Sequence, residues 1–338
     1  MHSPRYSIVI PVHNEAEVLV ELFDRLSDLI ERLDADTEVV LVDDGSTDPS
    51  FEIMRDQHER DSRFRVVRLS RNFGHQLAIT AGLDHAGGDA VVIMDADLQD
   101  PPEVVLEMVQ RWHEGFLVVY GVRVQRVGER PVKQLTASWF YRVLNRLADV
   151  PIPLDAGDFR LVDRRAVDIV RSMREQRRYL RGMFAWIGFD QTGVQYVRAP
   201  RLAGSTKFSF RRMISFASDG LLSFSAAPLR AALNLGFAMS SVAFLTGLFA
   251  IVAKLTSLYT TPGWASIAVA VAFLGGMQLT VLGVIGEYIA RIYDEVKQRP
   301  LYVVREELGA EDLAPATPPI ERPSPPVPAS ARAPTGQP

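Results

Sequence analysis

Two stretches of this chain, residues 231–253 and 264–286, each run for 23 positions without a charged side chain. No other feature of the sequence limits the fold so strongly. As helices rising about 1.5 Å per residue, each would span roughly 35 Å, enough to cross a bilayer with some tilt. Two such lengths in tandem are a poor fit to the core of a soluble domain. The connector "KLTSLYTTPG" is short, so the two runs form a hairpin. Arg211, Arg212 and Arg230 precede the pair; Arg291, Lys297, Arg299 and Arg305 follow it; the connector holds only Lys254. The positive-inside rule places both flanks, and both termini, on the cytoplasmic side. Neither run contains an ionisable residue, so a transport pathway through them is not expected.

The remainder reads as soluble protein. A hydrophobic share of 47% beside 23% charged residues implies an uneven distribution of apolar residues. The formal net charge of −4 argues against a nucleic-acid partner. The absence of cysteine excludes disulfides, zinc–thiolate sites and a cysteine nucleophile. The opening residues, "MHSPRYSIVIPVHNEAE", lead into a strand-like run with no signal-like apolar stretch, so the first domain is expected in the cytoplasm. The last 25 residues hold nine prolines and no apolar periodicity, the composition of a disordered tail.

Over roughly the first 125 residues, strand-like and helical patterns alternate. "YSIVIPV", "TEVVLVDD", "FRVVRLS", "DAVVIMDAD" and "FLVVYGVR" are short apolar runs. Between the first two, Val18, Leu22, Leu26, Leu29, Ile30 and Leu33 fall at helical spacing. The alternation predicts an α/β domain, a parallel sheet covered on both faces. Ligands of such sheets bind at the carboxyl ends of the strands. The polar strand ends "PVHNE", "VDDGS", "SRNFGH" and "MDADLQD" should therefore line one crevice.

Asp95 and Asp97 stand two apart at one of those ends, so in extended chain both carboxylates point to one side. Two close carboxylates repel unless a cation lies between them. Their hard oxygens suit Mg2+ or Mn2+, which also accept phosphate oxygens. Alone, the pair fits a solvated acidic turn equally well, and Asp100 before Pro101 and Pro102 fits a helix cap. No G-x-x-x-x-G-K-[ST] motif occurs, so NTP hydrolysis is not expected. Further on, the segment "KFSFRRMISF" mixes aromatic and basic residues in the manner of a helix lying on a membrane surface.

The strings "IVIPVHNEAEVL", "VVLVDDGSTD", "SRNFGHQLAITAGLDHAGGDAVVIMDADLQDPPE" and "DAGDFRLVDRR", in this order and spacing, resemble family 2 glycosyltransferases of the GT-A fold. More narrowly, the chain is similar to polyprenyl-phosphate glycosyltransferases, both the undecaprenyl-phosphate glucosyltransferases and the dolichol-phosphate mannosyltransferases. The resemblance implies a GT-A Rossmann-like domain over residues 1–208 and a juxtamembrane amphipathic segment over 209–230. The two transmembrane runs would follow, then a cytoplasmic segment over 287–313 and the tail over 314–338. It implies that Pro11, His13, Glu15, Asp44, Asp95, Ala96 and Asp97 bind the sugar nucleotide. Asp95, Asp97 and Gln99 would hold Mg2+ or Mn2+. Asp97, Asp158 and Arg160 would serve catalysis, and Arg123, Arg201, Ser205 and Lys207 the acceptor phosphate. Asp43 is expected to be structural, and Arg160 to pair with a phosphate or with an acid such as Asp163. By the same resemblance the protein forms a homo-oligomer, a tetramer.

The expected activity is transfer of a hexose from a sugar nucleotide to polyprenyl phosphate at the inner membrane. UDP-glucose and undecaprenyl phosphate are favoured; GDP-mannose is the alternative donor. The acceptor phosphate has a second pKa near 6 and is already ionised at neutral pH. In-line attack would invert the anomeric centre, with Asp158 either a weak base or a positioning group. A processive polysaccharide synthase fits poorly, since "QRRYLRG" lacks the Gln-x-x-Arg-Trp signature. A non-catalytic nucleotide-binding scaffold would be expected to have lost a metal carboxylate.

Overall fold

Strands β1 (Tyr6–Val12) and β2 (Thr37–Asp43) are buried at every position in the computed structural model, which describes residues 5–123, 156–198, 227–256 and 263–309. Their unbroken apolar sequences follow from being covered on both sides. Successive side chains alternate between faces. Ile8, Ile10, Val39 and Leu41 enter one core, which is closed by α1 (Leu19–Arg32), α2 (Ser50–Arg60) and α4 (Val104–His113). Val9, Val40 and Val42 enter the other, closed by α3 (His75–His85), α5 (Arg164–Ser172) and α6 (Leu180–Trp186). In α1 the expected periodic residues Leu22, Leu26, Leu29 and Ile30 are all buried. Each such side chain contributes about 1.5–3 kcal/mol.

Six further strands complete one sheet: β3 (Phe64–Leu69), β4 (Ala90–Ile93), β5 (Val118–Arg123), β6 (Ala156–Asp163), β7 (Gln191–Tyr196) and β8 (Val304–Leu308). Their order is β7-β5-β6-β4-β1-β2-β3-β8. The sheet is mixed rather than wholly parallel, which corrects the sequence expectation. β6 runs antiparallel to both β4 and β5, and β8 antiparallel to β3. The reversal of β6 matters for the site. Ile93 pairs with Arg160, so continuing that register two residues brings Asp158 opposite Asp95.

Pro11 lies inside a central strand, where a missing N–H is normally unfavourable. Here it is tolerated. Val9 O accepts from Met94 N on the β4 side, and Val12 O accepts from Asp44 N on the β2 side. By alternation Pro11 faces β4, whose ladder has already ended at Ile93. The divergence of the two strands at this point opens the crevice.

Helices α7 (Ala227–Leu255) and α8 (Trp264–Val296) pack against one another. Phe237, Phe244 and Phe249 on α7, and Val271, Leu279 and Leu282 on α8, are exposed. Among the described residues one segment, Phe273–Val296, is long and apolar enough to cross a bilayer, and none of it is buried. Ala232–Thr246 is a shorter apolar stretch. The expectation of two spans at 231–253 and 264–286 is met in part: Phe273–Val296 overlaps the second, and the shorter stretch lies within the first. On α7, Ser241 and Thr246 return their hydroxyls to the carbonyls of Phe237 and Val242.

The chain beyond α8 returns to the sheet as β8. Tyr302 donates to Asp84 at 2.8 Å, and Arg174 reaches both oxygens of the same carboxylate. Gln176 donates from its backbone to Glu295 and from its side chain to Arg299 O. Arg65, almost fully buried, joins Glu38 at 2.8 Å and Glu307 of β8 at 3.2 Å.

Candidate active site

The crevice is organised from β2 outward. Asp44 is buried, and its two oxygens accept the backbone amides of Phe73 and Gly74 at 2.7 and 2.9 Å. Those amides lead into the first turn of α3, where helix geometry provides no partners. Gly45 is required beside them: φ is +65°, and a Cβ would lie 2.5 Å from the backbone of Arg71 and Asn72. Asp43 is fully buried and accepts from Ser46 N at 2.9 Å, in keeping with the structural role expected of it. Asp44, expected at the nucleotide, fixes the start of α3 with one bond to each carboxylate oxygen.

His13 follows β1 and is exposed. Its Nδ1 lies 2.9 Å from Asp44 O, and Asn72 Nδ2 lies 3.0 Å from its Nε2. The ring is therefore held from both sides across the β1, β2 and β3 loops. Asn14, at a left-handed φ of 56°, accepts from the amides of Thr47 and Asp48. The Glu15 amide donates to Ser50 Oγ at 3.0 Å, tying the same loop down.

His75, the first residue of α3, stands between two carboxylates. Its Nε2 is 3.5 Å from Asp95 Oδ1 and 3.3 Å from Asp158 Oδ2. Asp158 also accepts from Gln76 Nε2 at 3.3 Å and from Arg181 Nε and Nη2 at 2.8 and 3.2 Å. Burial pushes the Asp158 carboxyl up, but the Arg181 charge and the His75 and Arg181 hydrogen bonds outweigh it. The group is held well below 3.8. Burial pulls His75 down, yet its bond to Asp158 and the charges of Asp95 and Asp158 raise it from 6.5 to about 9.

Asp95 has the opposite environment. Burial, together with the charges of Asp158, Asp100 and Asp97, raises its carboxyl to about 6 despite His75. Its Oδ1 is buried with no hydrogen-bond partner. A buried, unsatisfied, electrostatically strained carboxylate oxygen fits a divalent cation. Asp97 accepts the Gln99 amide on Oδ1 at 3.2 Å, and the turn between them places Leu98 at φ 55°. Gln99 is half-buried and Ala96 is buried. Among the described residues no three His, Cys, Asp or Glu side chains cluster as a complete ligand set. Water and a bound diphosphate would have to complete the coordination of an ion held here.

Arg160 is buried close to Asp158 and Arg181, whose charges act on it. It is 4% exposed, donates to Gly157 O at 2.9 Å and lies 4.9 Å from the centre of the Phe184 ring. Burial lowers it to about 10. Asp163, its expected acidic partner, pairs instead with Arg165 and Trp112. Arg123, at the end of β5, donates to Tyr196 OH at 3.1 Å. Arg201, Ser205 and Lys207 lie outside the described residues.

With this geometry in view, two comparisons decide the family. A model of the family described as "Glycosyl transferase family 2" matches residues 7–170. Glycosyltransferase YkcC of Bacillus subtilis is 47% identical over 308 residues, 91% of this chain and 95% of that protein. The chain belongs to glycosyl transferase family 2. A bactoprenol glucosyl transferase of Shigella flexneri, derived from prophage SfII, is 37% identical over 302 residues, 89% of this glycosyltransferase and 98% of that one. An Escherichia coli (strain K12) protein described as a prophage bactoprenol glucosyl transferase homolog is 36% identical over 301 residues.

Three site residues of this glycosyltransferase escaped the sequence reading. His75 sat inside a strand-end string flagged for the crevice, but nothing gave it a partner. Gln76 and Arg181 carry no motif of their own. Arg181 belongs to the string "QRRYLRG", considered above only for its lack of the Gln-x-x-Arg-Trp signature, and α6 turns it toward Asp158.

Proposed function

We propose that this glycosyltransferase moves glucose from UDP-glucose to polyprenyl phosphate, with undecaprenyl phosphate the acceptor and inversion at the anomeric carbon. The observation that carries this reading is the pairing of Asp158. A carboxylate gripped by Arg181 and His75, with its pKa depressed, is a poor base for a sugar hydroxyl. It suits an acceptor that arrives already ionised, and a phosphate monoester does so at neutral pH. The bactoprenol glucosyl transferases, alike over nearly their full length, support the same acceptor and sugar.

In this mechanism Asp95 and Asp97, with Gln99 beside them, hold the divalent ion, Mg2+ or Mn2+. When bound, that ion supplies positive charge against the leaving diphosphate. Asp158 positions rather than deprotonates: it locks α6 and the start of α3 around the sugar. His13, Pro11 and the β1 loop frame the base, with Asp44 acting through the turn at Phe73 and Gly74. Arg123, with Arg201, Ser205 and Lys207, receives the acceptor phosphate and lowers the repulsion between two anionic substrates. The hairpin of α7 and α8 spans the membrane, with the catalytic domain on the cytoplasmic side where the lipid headgroup is met.

The test is incubation of purified protein, Mg2+ and undecaprenyl phosphate with a panel of labelled sugar nucleotides, followed by lipid extraction. Label from UDP-glucose in the lipid phase is the expected result. Label from GDP-mannose alone would overturn the donor, and no labelled lipid from any donor would overturn the acceptor.

A further inference from the structure

The loop carrying Asp95 and Asp97 ends in another carboxylate that the mechanism above does not use. Asp100, a candidate helix cap by sequence, caps nothing: α4 starts at Val104 after Glu103, with no side-chain cap. It is instead 1% exposed. Tyr196 OH donates to its Oδ1 at 2.5 Å. Two guanidinium groups converge on the same oxygen, Arg123 Nη2 at 3.8 Å and Arg198 Nε at 3.7 Å. Arg123 Nε completes a relay by donating to Tyr196 OH.

Among the described residues this cluster has one carboxylate for two arginines, so a positive charge is left over. It adjoins the crevice. Arg123 lies across Gly157, where a Cβ would come 2.7 Å from Nη2, and Gly157 precedes Asp158. Burial pulls Arg123 down, but Tyr196 and Asp100 raise it, so it stays charged. Asp100 Oδ2 and Arg198 Nε are both buried without a hydrogen-bond partner, so neither group has used its full capacity.

We propose that Asp100 is a positioning residue for the acceptor. Directly and through Tyr196, it holds Arg123 and Arg198 together as one phosphate-binding pair. Two guanidinium ions this close repel; a buried carboxylate between them offsets that repulsion and fixes their direction. The surplus charge matches an incoming anion, and the donor diphosphate is served separately by Asp95 and Asp97. The inference rests on the reading of the acceptor as a lipid phosphate. It adds Arg198 to the groups that bind it, and Asp100 and Tyr196 to those that hold the binding groups in place.

The experiment is steady-state kinetics on the full-length enzyme with undecaprenyl phosphate and UDP-glucose varied in turn. Asp100→Asn keeps the shape and removes the charge; Tyr196→Phe keeps the charge and breaks the relay. Expected are increases in KM for the lipid of about 10-fold or more in D100N and about 3–10-fold in Y196F. KM for UDP-glucose and kcat at saturating lipid should stay within about two-fold of wild type, a split that general loss of structure would not give. If D100N folds poorly, Y196F alone decides. An unchanged lipid KM, or lipid and nucleotide KM rising together, overturns the inference while wild-type turnover leaves the proposed function intact. A wild-type enzyme that glycosylates no polyprenyl phosphate overturns both.

Discussion

Arg181 grips Asp158 with two hydrogen bonds, Nε to Oδ1 at 2.8 Å and Nη2 to Oδ2 at 3.2 Å. The pair joins α6 to β6 at the rim of the crevice and is mostly withdrawn from water. Breaking a buried ion pair from one side costs roughly 3–5 kcal/mol, and the partial exposure of Arg181 puts this one at the lower end. Arg181→Gln should therefore lower Tm by on the order of 10 °C in detergent, read by a thermal melt. It should also cut kcat by about 100-fold through misplacement of Asp158. A variant with normal Tm and normal kcat would leave the pair with no role.

The pH profile separates a base from a positioning group. The folded pKa of Asp158 is depressed, so the stability it contributes is fully present above about 3.9 and is lost as pH falls through the folded value. Between pH 5 and 8 it should contribute no titration to stability or rate. The rate with limiting lipid should instead rise around pH 6 with the second ionisation of the acceptor phosphate and then level off. Asp158→Asn should lower the plateau and keep the rising limb at the same pH. Disappearance of that limb in the variant would make Asp158 the titrating base.

How far the sequence foretold this site depends on the kind of contact. The parallel strands and their polar ends were legible because two-sided burial writes continuous apolar runs, and these place His13, Asp44 and Asp95 on one edge. Asp158 opposite Asp95 was not derivable: it depends on β6 entering the sheet reversed, which local pattern does not encode. The burial of Arg160 was hidden for a related reason. Asp158 and Arg160, two apart on β6, share a face, but Arg160 is covered by Phe184 of α6, a contact between segments distant in sequence. The return of β8 was equally hidden, because a short strand rich in Arg and Glu looks like solvent-exposed chain until Arg65 and β3 are in view.

Asp95 is strained without a cation, and this predicts opposite effects on stability and activity. Burial and neighbouring carboxylates raise its carboxyl to about 6, so at pH 7 the ionised group disfavours the metal-free fold. Asp95→Asn should raise Tm in EDTA. The same variant should lose on the order of 1,000-fold in kcat with Mg2+ present, since several kcal/mol of charge stabilisation disappear. Adding Mg2+ or Mn2+ to wild type after EDTA should restore transfer and raise Tm. If D95N melts below wild type in EDTA, the strain on this carboxylate is not real.

The strand beyond α8 should be needed by the catalytic sheet. β8 covers the β3 edge, and Glu307 and Gly309 O together supply two of the partners of the buried Arg65, with Glu38 and His85 O supplying the others. Ending the chain after Val303 would uncover the β3 ladder and leave Arg65 half-satisfied, each lost charged hydrogen bond costing about 1.5–3 kcal/mol. Tyr302 would remain on Asp84, so α8 stays tethered while the edge is open. An open, apolar edge strand invites pairing between molecules. The truncated protein should melt on the order of 10 °C lower and aggregate in detergent, as seen by size-exclusion chromatography. Removing only residues 314–338 should change neither. Equal behaviour of the two truncations would show that β8 adds nothing to the sheet.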